Sequence, residues 1–139
     1  MPHQRPKFLA KGDAGHLECL AFITFVAGFN FDLVHQRWPK IVRAFNRFSV
    51  EKVARYGERD VKRLMADQFV IHNERKIRAV IENAREVQRF RKLHGTFKAY
   101  IKYAKPLGYE KNRKNFKKRF AFLGETSSHW FMWYCGFKE

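Results

Sequence analysis

Only two cysteines occur in 139 residues, Cys19 and Cys135. Each lies inside an apolar helical pattern, which leaves no disulfide framework and no paired-cysteine zinc site. Buried free thiols in a reducing compartment are the expectation. Acidic residues are scarce, thirteen Asp and Glu against twenty-nine Lys and Arg, for a formal charge of +16. Long hydrophobic runs are missing too. The longest, over 19–31, is too short to span a bilayer. It does not fit a secretory leader either, because Asp13 and Glu18 stand where a basic region belongs and Asp32 where a cleavage region belongs. No membrane partner and a cytoplasmic, nucleoid-associated location follow as expectations. No stretch reads as a strand, and no internal repeat is present.

What is there is apolar and aromatic. Hydrophobic residues make up 45% and aromatics 17% of the chain, which excludes a disordered basic tail. The length suffices for one domain with a real core, burying roughly 68–70% of the unfolded surface. The excess of Lys and Arg points to a polyanion, nucleic acid first and an acidic membrane surface second. Solubility or an acidic protein partner are the plainer explanations of the same charge.

The pattern is all-α: a multi-helix single domain over 16–139 preceded by a flexible basic arm over 1–15, which contains Pro2 and Pro6. A nearly all-apolar helix is expected over 16–29, central and buried. Asn30 caps a second helix from Phe31, which Pro39 is expected to kink or restart. Ser49 opens a short helix to Ala54, and another runs over 58–66. A long helix over 73–94 ends at Gly95 and carries an apolar stripe of Ile77, Val80, Ile81, Ala84 and Val87. Its other face carries Arg75, Arg78, Arg85, Arg89 and Lys92. Thr96 caps a further helix to Ala104, and Pro106 and Gly108 make a loop.

The stretch over 117–137, KKRFAFLGETSSHWFMWYCGF, is the most informative. A basic helix runs into a Leu-Gly-Glu-Thr turn and then into a helix dense in aromatics. Gly124 permits close backbone approach, and Thr126, Ser127 and Ser128 are able to cap the second helix. Such a turn presents unpaired N–H groups to a phosphate. Lys114, Lys117, Lys118 and Arg119, with Lys111 and Arg113, lead into it. This is the outline of a C-terminal helix–hairpin–helix DNA-binding motif, although a plain helix–turn–helix packing unit has the same outline. Gly124, Thr126, Ser127 and Ser128 are its expected phosphate contacts on double-stranded DNA.

Several segments resemble the DNA-3-methyladenine glycosylase I family of helix–hairpin–helix glycosylases. Ala27-Gly28-Phe29-Asn30-Phe31 is similar to that family's Ala-Gly-Leu/Phe-Ser/Asn-Trp segment. Ala44-Phe45 through Phe48, then Val53-Ala54, resembles its Ala-Phe-x-x-Phe…Val-Ala run. Asn73-x-x-Lys76-Ile77-x-Ala79-x-x-x-Asn83-Ala84-Arg85 is similar to its signature helix, and Phe122-Leu123-Gly124-x-Thr126 with Phe131-Met132 to its hairpin. The resemblance implies a base-excision repair protein that flips an alkylated purine out of DNA and releases it. A 3-alkylated adenine is cationic, so aromatic faces hold it by cation–π attraction and it leaves readily.

Phe31 falls where the family places a Trp that stacks on the base and is the first pocket candidate. Trp38, Trp130, Trp133 and Tyr134 stand in reserve, against the ordinary alternative that large aromatics carry the core. Ile23 aligns with the family's pocket Glu, and an aliphatic side chain neither hydrogen-bonds a base nor polarises a water. The family's Cys and His zinc ligands have no counterparts: His16, His129 and Cys135 do not supply the pairs, so no metal and no cofactor are expected. A catalytic Asp of the wider superfamily would fall past Glu139, so a diverged branch or truncated form is expected. Asp32, directly after Phe31, is the substitute catalytic candidate, against its reading as an ordinary first-turn carboxylate. Ser128 stands about where a Schiff-base Lys would be, so a monofunctional reaction is expected. The rival reading is a non-catalytic DNA-binding module that kept the fold. No obligatory protein partner is inferred.

Overall fold

The cap signals become helix boundaries in the computed structural model of the protein, which describes residues 8–139. Eight α-helices follow in order: α1 Gly12–Val26, α2 Phe31–Ala44, α3 Val50–Ala54, α4 Glu58–Ala66, α5 Glu74–His94, α6 Phe97–Ala104, α7 Tyr109–Arg119 and α8 Glu125–Tyr134. Among the described residues there is no strand, and no helix is long and apolar enough to cross a membrane. Asn30, Ser49, Asn73 and Thr96 each accept a backbone N–H three residues on, opening α2, α3, α5 and α6. Gly95, at φ +89, stops α5 in the left-handed region.

α1 is buried along its length and forms the centre, with α5 packed against it and α3, α4 and α6 packed around α5. The polar residues of the signature helix explain why α5 is the spine. Lys76 is buried, and its Nζ donates to the carbonyls of Phe25 (3.1 Å) and Ala27 (2.6 Å). A cation there satisfies the unpaired end of α1 and complements its dipole. Asn83 exchanges two hydrogen bonds with Ala121, donating to its carbonyl and accepting from its N–H. Arg85 donates to the carbonyls of Ala54 and Tyr56, closing α3. One helix thus fixes the end of α1, the end of α3 and the turn before α8.

The Ala-Phe-x-x-Phe run makes a left-handed turn, with φ of 53°, 54° and 56° at Asn46, Arg47 and Phe48. L-residues pay for that conformation. Here it swings Phe48 into the core, stacked on Phe45 (5.2 Å) and Trp38 (5.6 Å).

Two expectations are corrected. Pro39 does not restart α2: the helix runs on through it as one element. Pro39 is on the exposed side, where a carbonyl freed one turn back is open to solvation. The first helix begins at Gly12, not at residue 16, so the last part of the expected arm is ordered. Leu9 and Ala10 donate their N–H groups to the Glu18 carboxylate, and Phe8 packs edge-on against Phe22 and Tyr134. The rest of that arm, residues 1–7, lies outside the described residues.

Candidate nucleic-acid interface

The end of α1, the start of α2 and the α7–α8 turn meet around a cavity of about 310 Å³. Ile23, Val26 and Ala27 form one wall, Phe31 a second, and Phe122, Gly124, Thr126, Ser127 and Trp130 the third. The location follows from local chemistry. Lys76 holds the end of α1 in place, Asn30 orients Phe31 in the first turn of α2, and Asn83 ties the turn at Ala121. Phe122 has a left-handed backbone (φ +62°), with Arg75 over its ring at 5.7 Å. Phe31 lies 6.1 Å from Trp130 and stacks on His35 at 5.8 Å. The lining is aromatic and aliphatic with two hydroxyls, and the indole N–H of Trp130 is buried with no hydrogen-bond partner among the described residues. Among the described residues, no lining side chain is ionisable.

Beside the cavity, α8 presents its N-terminus. Gly124 donates its N–H to the Ser127 hydroxyl (2.9 Å), and its carbonyl accepts from Ser128. A helix leaves its first-turn N–H groups, here those of Glu125, Thr126 and Ser127, without intrahelical partners. Glu125 does not confront them as a bare charge. Lys117 and Arg113 both pair with its carboxylate, and these contacts hold it below the usual carboxylate range.

The expected site residues separate. Phe31 and Trp130 line the cavity together with Gly124, Thr126 and Ser127. Trp38 is not brought there. It is a core residue whose Nε1 donates to the buried Glu18 carboxylate at 2.8 Å. Tyr134 faces a different cavity, at the other end of α8, where burial pushes its phenol up to about 12. Trp133 is half exposed beside Tyr109 and His129. Asp32 is exposed in the first turn of α2 and is not among the lining residues, as an ordinary dipole-favoured carboxylate would be.

Ser128 cannot serve as an accessible phosphate contact. It is fully buried, donating to the Glu125 carbonyl and accepting from Arg113. Arg113 is likewise structural, clasping Glu110 with two nitrogens. Arg119 lies over the Phe90 ring and pairs with Glu86 (2.7 Å), and Lys117 pairs with Glu125. Lys111, Lys114 and Lys118 are the exposed cations of α7 outside any ion pair.

Phe122, Val26 and Ala27 are lining residues that pattern reading left unassigned. The signal for Phe122 was its place in the hairpin segment, but its left-handed backbone was not legible. Among the described residues, no three His, Cys, Asp or Glu side chains converge on a point that would hold a metal ion.

Solved structures with a similar arrangement of helices include 3-methyladenine DNA glycosylases I. One superposes with a TM-score of 0.76 at 23% identity, covering 94% of this chain and 81% of that one. A solution structure, described with alkylated-base recognition, gives 0.74 at 25%, with coverage of 93% and 80%. The Staphylococcus aureus enzyme gives 0.71 at 21%, with 92% and 77%. No curated protein matches the chain in sequence. The fold therefore defines an all-α protein of the DNA glycosylase type. Residues 7–128 match the methyladenine glycosylase family, and the chain belongs to that family. It is a glycosylase-like repair protein with DNA as its macromolecular partner.

Proposed function

We propose that the cavity between Phe31 and Trp130 receives an alkylated purine flipped from duplex DNA, and that the protein releases it by a monofunctional hydrolysis. The observation that carries this reading is adjacency. An aromatic cavity of about 310 Å³, within the range of small-ligand pockets, shares Thr126 and Ser127 with the unpaired N-terminus of α8. A flipped nucleotide has that shape: a flat base for the aromatic walls and a phosphate for the backbone N–H groups. A cationic base is held by the Phe31 and Trp130 faces, and it departs as a neutral molecule, so its own charge does much of the bond-breaking. Thr126 and Ser127 position the backbone, and the apolar wall of Ile23, Val26 and Ala27 excludes bulk water. Lys111, Lys114 and Lys118 contribute sequence-independent phosphate contacts. Nucleoid association and action without an obligatory protein partner accord with this reading.

One observation favours a second reading. No lining residue is ionisable, and Ile23 stands where the resemblance places a Glu, so a non-catalytic DNA-binding module that kept the fold has the same surface. Methylated duplex DNA incubated with the protein, with released bases quantified by mass spectrometry, separates the two. Release of 3-methyladenine, lost in Phe31→Ala while duplex binding persists, is the expected result. Release that survives in Phe31→Ala would remove Phe31 from the pocket. No release from the wild type alongside salt-sensitive binding would establish the non-catalytic reading. An Asp32→Asn control is expected to retain release, because Asp32 does not line the cavity.

A further inference from the structure

A second cavity, of about 490 Å³, lies at the far end of the antiparallel α1–α8 pair. Gly12 and His16 from the start of α1, Lys98, Ile101, Lys102 and Lys105 from α6 and the turn after it, and Tyr134 and Cys135 from the end of α8 line it. The base cavity touches other parts of the same two helices: its nearest lining residue on α1, Ile23, is seven residues beyond His16, about 10 Å at 1.5 Å per residue. The two cavities have no lining residue in common.

The lining is one-signed. Lys98, Lys102 and Lys105 follow at helical spacing, so their ammonium groups share a face. None of the three makes an ion pair among the described residues, and no carboxylate lines the cavity. Asp13, the acid nearest in sequence, is turned away to Arg91 and the N–H of Phe97. Elsewhere the arginines are clasped by acids, as at Arg78, Arg85 and Arg113. Leaving three lysines uncompensated around a concave surface raises the local anion concentration. Two further groups add a donor and a dipole. The Tyr134 hydroxyl stays protonated near neutral pH, and Gly12 brings the positive end of the α1 dipole to the wall. Buried Ile101 and Cys135 supply an apolar floor.

We propose that this cavity binds a phosphate-bearing small molecule of nucleotide size, with its phosphates on Lys98, Lys102 and Lys105 and its apolar part against Ile101 and Cys135. A pocket of this volume is large enough for such a ligand, and three ammonium groups match a di- or triphosphate better than a single carboxylate. The assignment does not rest on the base-release reading, because it uses none of the same residues.

Titration calorimetry of the full chain with ATP and with inorganic pyrophosphate tests it. Saturable binding at one site per chain is expected, with the imidazole NMR signals of His16 shifting as ligand is added. The exposed double change Lys98→Glu/Lys102→Glu should weaken binding by tenfold or more, while Arg59→Glu/Lys62→Glu, also exposed and far along the chain, should not. Equal weakening by both pairs would reduce the effect to the global charge and overturn the site. Absence of saturable binding, or saturation with His16 unmoved, would overturn it as well. A short single-stranded oligonucleotide is the third probe. If it alone binds with the Lys98/Lys102 dependence, the small-molecule assignment falls and a DNA backbone phosphate takes the place.

Discussion

Glu18 shows how a single residue changes meaning between sequence and structure. Its carboxylate has no exposed surface and accepts from the N–H groups of Leu9 and Ala10 and from the Trp38 indole. Buried charge is tolerated only with such a set of donors. Trp38→Phe keeps an aromatic ring but removes the indole N–H together with buried ring volume, so stability should fall by at least about 1.5–3 kcal/mol, the range for hydrogen bonds to charged groups. The urea midpoint reads it, and an unchanged midpoint would mean water replaces the indole. His16 gives a pH prediction. Burial, first, and Lys98 hold its imidazole below the ordinary 6.5, against the Gly12 carbonyl and Asp13, which raise it. The unfolded chain therefore takes up the proton first. The contribution of His16 to stability is complete above 6.5 and is lost as pH falls from there through the depressed folded value. His16→Gln should flatten the acid side of the stability curve, and the same slope in the variant would place the acid sensitivity elsewhere. Neither role was legible in the sequence, because each depends on partners brought up by tertiary packing.

Elements were far more legible than residues, for a physical reason: caps act locally. Asn30, Ser49, Asn73 and Thr96 open helices by bonding N–H groups three residues away, so the chain itself carries the boundary. The start of α1 was missed because Lys11 caps it without a side-chain bond and Gly12 takes a φ of +64° that only glycine adopts freely. Pro39 misled because a proline breaks a helix only where the lost bond cannot be replaced. The α7–α8 turn is held from α5, where the pattern of apolar stripe and basic face assigns Asn83 no partner. Asn83 is 2% exposed and meets both backbone groups of Ala121, at 2.9 and 3.3 Å. Asn83→Ala should cost about 1–3 kcal/mol from the two lost bonds and the polar groups left behind. Its sharper signature is local: amide exchange at Ala121 and Gly124 should accelerate more than exchange in the centre of α1. Uniform acceleration across both would mean global destabilisation and no special hold on the turn. Because this turn supplies the third wall of the base cavity, the same variant should bind duplex DNA less tightly.

For the molecule as a whole, the charge of +16 points to a polyanion but overstates how many cations reach it. Composition cannot distinguish a lysine facing solvent from an arginine serving the fold. Of the basic run leading into α8, Arg113, Lys117 and Arg119 are spent on Glu110, Glu125 and Glu86, which leaves Lys111, Lys114 and Lys118 outward. Each phosphate neutralised releases counterions with a log–log salt slope of about −0.9. Three such contacts imply a slope near −2.7 and a loss of about 40-fold between 50 and 200 mM salt, far shallower than the roughly 10³–10⁵ of six to ten contacts. Lys114→Glu and Lys118→Glu should each weaken duplex binding uniformly across sequences and reduce the slope by about 1. Reversal of Lys117 should instead act on the protein, because it sets two carboxylates against each other at the head of α8. A wild-type slope steeper than about −5 would require that the paired arginines exchange their acids for DNA, or that cations outside α7 share the interface. Combining Lys98→Glu and Lys102→Glu with the same salt titration decides between those alternatives. If the far cavity lies off the duplex, the slope stays at its wild-type value; if the DNA wraps that far, it falls by about 2.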